Sequence, residues 1–168
     1  RSAVHCRTPT MDFFVLNNLS MLKELNYLFQ RDLDRLIVEI ELYQSEQELW
    51  LKSAGIANSG GNLCLHLVGN LNHFIGYVLG NSDYVRNRDF EFTGKDVSKK
   101  EMIESIEEVK IMVSETLEKL KTESLEKEFP VKIFDEQPST QQMLIHLQGH
   151  LNYHLGQINY HRRLMING

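Results

Sequence analysis

The sequence predicts an all-α protein: one domain, a bundle of four helices, with a long crossover between the second and the third. Three observations carry this. Apolar residues recur three, four and seven apart in four separate segments. The β-branched alternation of strands is nearly absent, and proline is confined to Pro9, Pro130 and Pro138. The stretch between the second and third segments, "NSDYVRNRDFEFTGKDV", is long enough to cross a bundle, so those two helices are expected to run parallel.

The first helix is expected over residues 19–45, where Leu22, Leu25, Phe29, Leu36, Ile40 and Tyr43 form an apolar face. The second opens after "NSGG" and runs through "NLCLHLVGNLNHFIGYVLG", with Leu67, Leu71, Phe74 and Val78 as its stripe. The third begins at "SKKE". Ser98 and Glu101 have capping-box spacing, in which each side chain takes up an orphan backbone N–H. Met102, Ile106, Val109, Val113, Leu117 and Leu120 follow, and Glu115 and Lys119 stand one turn apart on a solvated outer face. The fourth begins at "PSTQQ". Ser139 and Gln142 repeat the capping-box spacing, Pro138 blocks extension backwards, and Arg162 and Arg163 suit the negative end of the helix dipole.

A length of 168 residues fits a single core. Residues 11–168 are read as that domain. Residues 1–10 are read as a segment outside it, either disordered, left over from expression, or upstream of a true start at Met11. His5 and Cys6 lie there and are set aside as ligands. The net charge of −5 argues against nucleic acid and against an anionic membrane surface as partners, since both demand a basic face. No apolar run approaches a spanning helix, and the N-terminus lacks the apolar core of a signal peptide. Cys64 is left alone in the folded part, which suits a reducing, cytoplasmic setting.

Four of the seven histidines fall in "HLQGHLNYHLGQINYH", residues 146–161. At 100° per residue, His146, His150, His154 and His161 return to one stripe of the fourth helix. His150 and His154, at i and i+4, form a clamp suited to a divalent metal, which needs a third ligand from elsewhere. The second helix offers His66 and His73. Cys64, two residues from His66, points the opposite way and reads as a core thiol. A metal site and a merely hydrogen-bonded polar seam both remain open readings of this pattern. His161, beside two arginines near the chain end, is expected at the surface or at an edge. His146 and His73 are expected beside the ligands or packed against each other. In "RNRDFEF", either ion pairs pin the loop or Arg86 or Arg88 holds an anionic substrate group. The loop is expected over one end of the bundle, with Phe90 and Phe92 buried and Asp89 and Glu91 meeting arginines. No Glu-x-x-His pattern, HExxH, P-loop, GxSxG or GxGxxG is present. No acidic residue is demonstrably near the histidines, so no general base is assigned.

"LCLHLVGNLNHFIG", "RNRDFEF" and "HLNYHLGQ", in this order, resemble the DinB-like superfamily of small metal-binding helical bundles, over most of the chain from the first helix onward. The resemblance implies an up-down-down-up four-helix bundle and a divalent metal, zinc or nickel, held by three histidines. His66 matches the ligand of the second helix, and His150, His154, Gly156 and Gln157 match the H-x-x-x-H-x-Gly-Gln of the fourth. Many members carry Arg where this chain has Leu155. The implied function is that of a metal-dependent enzyme, a thiol-dependent transferase or a hydrolase, acting on a small molecule such as a low-molecular-weight thiol. The alternative is a non-catalytic, stress-related or binding protein in which the metal is structural. A homodimer suits either.

Overall fold

The computed structural model describes residues 13–52 and 55–166; the expected segment 1–10, with His5 and Cys6, lies outside them. The described residues are all-α. Four long helices are α1 (Phe13–Glu41), α3 (Gly60–Leu71), α5 (Lys99–Lys119) and α6 (Thr140–Ile166), and two short ones are α2 (Glu46–Trp50) and α4 (Arg88–Thr93). The only pairing of strand type among the described residues is an isolated bridge between Glu128 and Ser139. None of these helices is long and apolar enough to cross a membrane.

Local chemistry sets the ends. The expected capping boxes are both made: Ser98 with Glu101 ahead of α5, and Ser139 with Gln142 ahead of α6. The first helix ends at Glu41 rather than at 45. A further Ser-x-x-Glu pattern explains this, because Ser45 accepts from the Glu48 N–H while Glu48 accepts from the Gln44 N–H, which starts α2 instead. Ser59 caps α3 by accepting from Asn62 N–H at 3.2 Å.

The second helical segment departs from its expected stripe. α3 runs on as a π-helix over Asn72–Leu79, closing with Gly80 N–H on Ile75 O at 2.9 Å. A turn closed five residues back takes in more residues than an α-turn. The buried face therefore continues from Leu67 and Leu71 to Ile75, and leaves Phe74 and Val78 half-buried.

Side-chain pairs give the helix directions. Asn26 donates to Ser114 and Gln30 to Lys110 O, so α1 and α5 run in opposite senses. Gln148 and Asn152 reach Asp32 while Arg162 reaches Glu39, so α1 and α6 run alongside in the same sense. His66 faces His150, and Gly60 lies against His161, so α3 and α6 run in opposite senses. The core between them is built on Phe29, Leu36, Leu67, Ile106, Val113 and Leu151, each at most 1% exposed.

Candidate metal centre

His66 on α3 and His150 and His154 on α6 turn their Nε2 atoms toward one point. His150 Nε2 lies 3.3 Å from His66 Nε2 and 3.1 Å from His154 Nε2, and ligand atoms of all three fall within 4.8 Å of one another. Nitrogens bound to one tetrahedral zinc at about 2.0–2.1 Å stand about 3.3 Å apart, so two edges of the cluster already have ligand spacing.

The partners of the other ring nitrogens set the tautomers. His66 Nδ1–H donates to Glu91 Oε2 at 2.9 Å, and His154 Nδ1–H donates to Gln157 Oε1 at 2.7 Å. Both rings therefore present a bare Nε2 lone pair to the centre. His150 stands between them, and its Nδ1 is buried without a partner. One proton on His150 Nε2 can satisfy one of the two facing lone pairs and leaves the other unmet. A single cation satisfies all three, with the His150 proton moved to Nδ1. The residues present therefore fit a metal ion. Burial pushes the His150 imidazole down to about 4, helped by the neighbouring histidines and Arg86, and burial also lowers that of His154. Both are thus neutral near pH 7, the form that ligates.

Glu91 is an acidic neighbour that the sequence alone does not place. It is buried, and Arg86 grips it through Nε at 2.6 Å and Nη2 at 2.9 Å while His66 donates to the same carboxylate. Burial alone raises its pKa, but the hydrogen bonds from His66 and Arg86 outweigh that and hold it below the usual carboxylate value. With both oxygens engaged it is a carboxylate that orients His66 rather than a free base. Gly69 makes room for it. A Cβ there would collide with Glu91 Oε1, and its Cδ would lie 2.8 Å away.

The "RNRDFEF" segment is a helix, not an extended loop, and this corrects the burial pattern. Asn87 caps α4 by accepting from Phe90 N–H at 3.1 Å. At helical spacing Arg88, Glu91 and Phe92 share a face, while Asp89 and Phe90 point away. Glu91 is buried and Phe92 packs on His66 with ring centroids 4.9 Å apart; Phe90 is 45% exposed, and Asp89 is exposed with no ion pair among the described residues. The buried charge thus replaces one of the two expected phenylalanines.

A profile described as "Protein of unknown function (DUF1572)" matches residues 19–168, which include every residue of this cluster. The chain belongs to the DUF1572 family. No curated protein matches it.

The other expected site residues of this DUF1572 chain lie partly at the cluster and partly away from it. Gln157 sits where it orients His154, and Arg86 where it holds Glu91. His146 lies beside His150, ring centroids 6.1 Å apart, with Phe134 on its other side at 4.9 Å. Arg88 is exposed, its guanidinium over the Phe92 ring. His73 makes no ring contact with His146 among the described residues: it stacks on Tyr77 and edges Phe74 inside the π-helix. His161 overturns its expected surface position. It is 3% exposed, takes the Tyr43 hydroxyl at 2.7 Å on Nδ1 and donates from Nε2 to Leu51 O at 3.0 Å. From α6 it ties down the turn after α1, at Tyr43, and the end of α2, at Leu51. Cys64 is a buried core thiol pushed up to about 12 by burial, and Leu155 is buried as well.

Proposed function

We propose that this chain is a metal-dependent enzyme of the DinB-like kind, with one divalent ion, zinc or nickel, held by His66, His150 and His154. The observation that carries the reading is the convergence of three Nε2 atoms, two of them fixed by Glu91 and Gln157. The pairwise helix directions support an up-down-down-up four-helix bundle, in which α4 and the segment around it form the crossover between α3 and α5.

Three protein ligands favour catalysis over a purely structural ion, since structural sites are closed by four. When bound, the ion supplies Lewis acidity that brings the pKa of a water or thiol at its open position toward neutrality. The chain's own groups do the rest. Glu91 keeps the His66 proton on Nδ1, and Arg86 keeps Glu91 ionised. Gln157 does the same for His154 without adding charge. Phe92 and Tyr153 flank the His66 and His154 rings and shelter two sides of the cluster. The substrate is a small molecule, with a low-molecular-weight thiol the first to test, in a cytoplasmic setting and with a homodimer as the assembly; transferase and hydrolase chemistry both suit an activated thiol or water.

The test is a screen of the metal-loaded protein against cellular thiols paired with electrophiles, and against ester and amide substrates. Turnover that disappears with a chelator and returns with metal supports the enzyme. A large fall in melting temperature on chelation, with no turnover anywhere in the screen, supports a structural ion instead.

A further inference from the structure

Beyond the three histidines, Asn70 and Arg86 carry polar atoms that the chain leaves unmet. Asn70 stands one helical turn beyond His66 on α3. It is 7% exposed, and its Oδ1 is buried without a hydrogen-bond partner. A buried carbonyl oxygen without a donor destabilises the fold, so its persistence calls for a donor that the chain itself does not provide.

Arg86 has a free edge as well. Nε and Nη2 are engaged with Glu91, Nη1 has no partner among the described residues, and the guanidinium lies over the Phe74 ring, 5.6 Å from its centroid. Phe74 is one turn beyond Asn70. Glu91 joins Arg86 to the Nδ1–H of His66, so this group borders the metal cluster.

The donor–acceptor balance selects the ligand. Asn70 Oδ1 needs a donor. Arg86 Nη1 can donate to an oxygen. A carboxylate offers oxygens alone and leaves Asn70 unmet. An amide-type group offers both an oxygen and an N–H. We propose that Asn70 and the free Nη1 edge of Arg86 form a recognition wall of the metal site. It takes a ligand whose metal-binding oxygen is next to an N–H donor, as in amides and hydroxamates. The inference rests on the metal-centre reading above.

The experiment uses the cobalt-loaded full chain and two probes that share their chelating oxygens, acetohydroxamate and N-methylacetohydroxamate. Binding is read from the cobalt absorption bands. The wild-type protein is expected to bind the N–H probe about tenfold tighter. Asn70→Leu should bind both alike, and Asn70→Asp, which keeps an acceptor, should restore the preference. Cobalt content should be the same in all three, and Asn70→Leu should melt no lower than wild type, because it removes an unmet polar atom. Equal binding of the two probes by the wild-type protein overturns the proposal, as does a preference that survives Asn70→Leu. A Leu variant that melts lower with its preference intact marks Asn70 as a structural amide and overturns the proposal too. Failure to take up cobalt at all overturns the metal-centre reading, and this inference with it.

Discussion

α6 carries two buried polar clusters on opposite sides, and they differ in one respect. Toward α1, Gln148 and Asn152 each donate to Asp32 Oδ2 at 2.6 Å, Arg31 grips both carboxylate oxygens at 2.8 Å, and Arg35 adds a contact at 3.1 Å. Asp32 is 0% exposed, yet its oxygens are fully met by groups of the chain. Toward α3, His150 lies between two bare lone pairs with its own Nδ1 unpartnered, and Asn70 Oδ1 is unmet one turn away. Both clusters cost desolvation, but only the first recovers it within the chain. A saturated cluster is a strut between helices. An unsaturated one can take a ligand that the chain does not supply.

The contrast is most exposed to test at Asp32. Asp32→Ala strands Gln148, Asn152 and two arginines, and should lower unfolding stability by roughly 3–5 kcal/mol in urea denaturation, with metal per folded chain unchanged. A loss under about 1 kcal/mol would mean that the strut is not one. On the other side, His150→Ala should leave the stability of the metal-free protein within about 1 kcal/mol of wild type and abolish stoichiometric metal uptake. It should also abolish the gain that wild type shows at a hundredfold excess of metal over Kd, about 2.7 kcal/mol.

Smaller effects separate the two sides further. Glu91→Gln frees His66 to change tautomer and should weaken metal affinity about 10–100-fold, read by competition with a chromophoric chelator, while saturating metal restores full occupancy. His161→Ala should cost about 1–3 kcal/mol through the lost Tyr43 and Leu51 hydrogen bonds and leave metal binding intact. Metal lost from a folded His161→Ala protein would show that this histidine belongs to the other cluster. The pH dependence of the metal-free chain should follow Asp32. Burial raises its pKa, but hydrogen bonds from Arg31, Asn152 and Gln148 outweigh that and hold it below 3.8. A folded pKa below the unfolded one contributes stability in full above the unfolded value, and that stability is lost as pH falls through the folded value. Asp32→Asn should therefore flatten the acid limb of the stability curve, and an unchanged limb would assign it to other carboxylates.

The readable parts of the fold are those governed by local rules. The capping boxes at Ser98 and Ser139 announce α5 and α6, and the i, i+4 histidines announce a shared face. Sequence patterns mislead where tertiary contacts or an irregular turn take over. A fixed advance of 100° per residue cannot foresee the π-helix that moves burial from Phe74 to Ile75. Alternating Phe and charge in "RNRDFEF" has an extended period, yet Asn87 is a signal for a helix start that would place Glu91 inward. Ser45 with Glu48 is a third capping pattern of the same kind as those at Ser98 and Ser139. His161 is buried by Tyr43 and Leu51, over a hundred positions away in sequence, and no local signal carries that.

Whether the unsaturated side of α6 holds one metal ion through three imidazoles is decided most directly by X-ray absorption of the zinc- or nickel-loaded protein. One ion per chain is expected, with three histidine nitrogens at about 2.0–2.1 Å and the remaining coordination from light-atom donors. A shell with fewer than two imidazoles, or with sulfur from Cys64, would contradict the three-histidine centre.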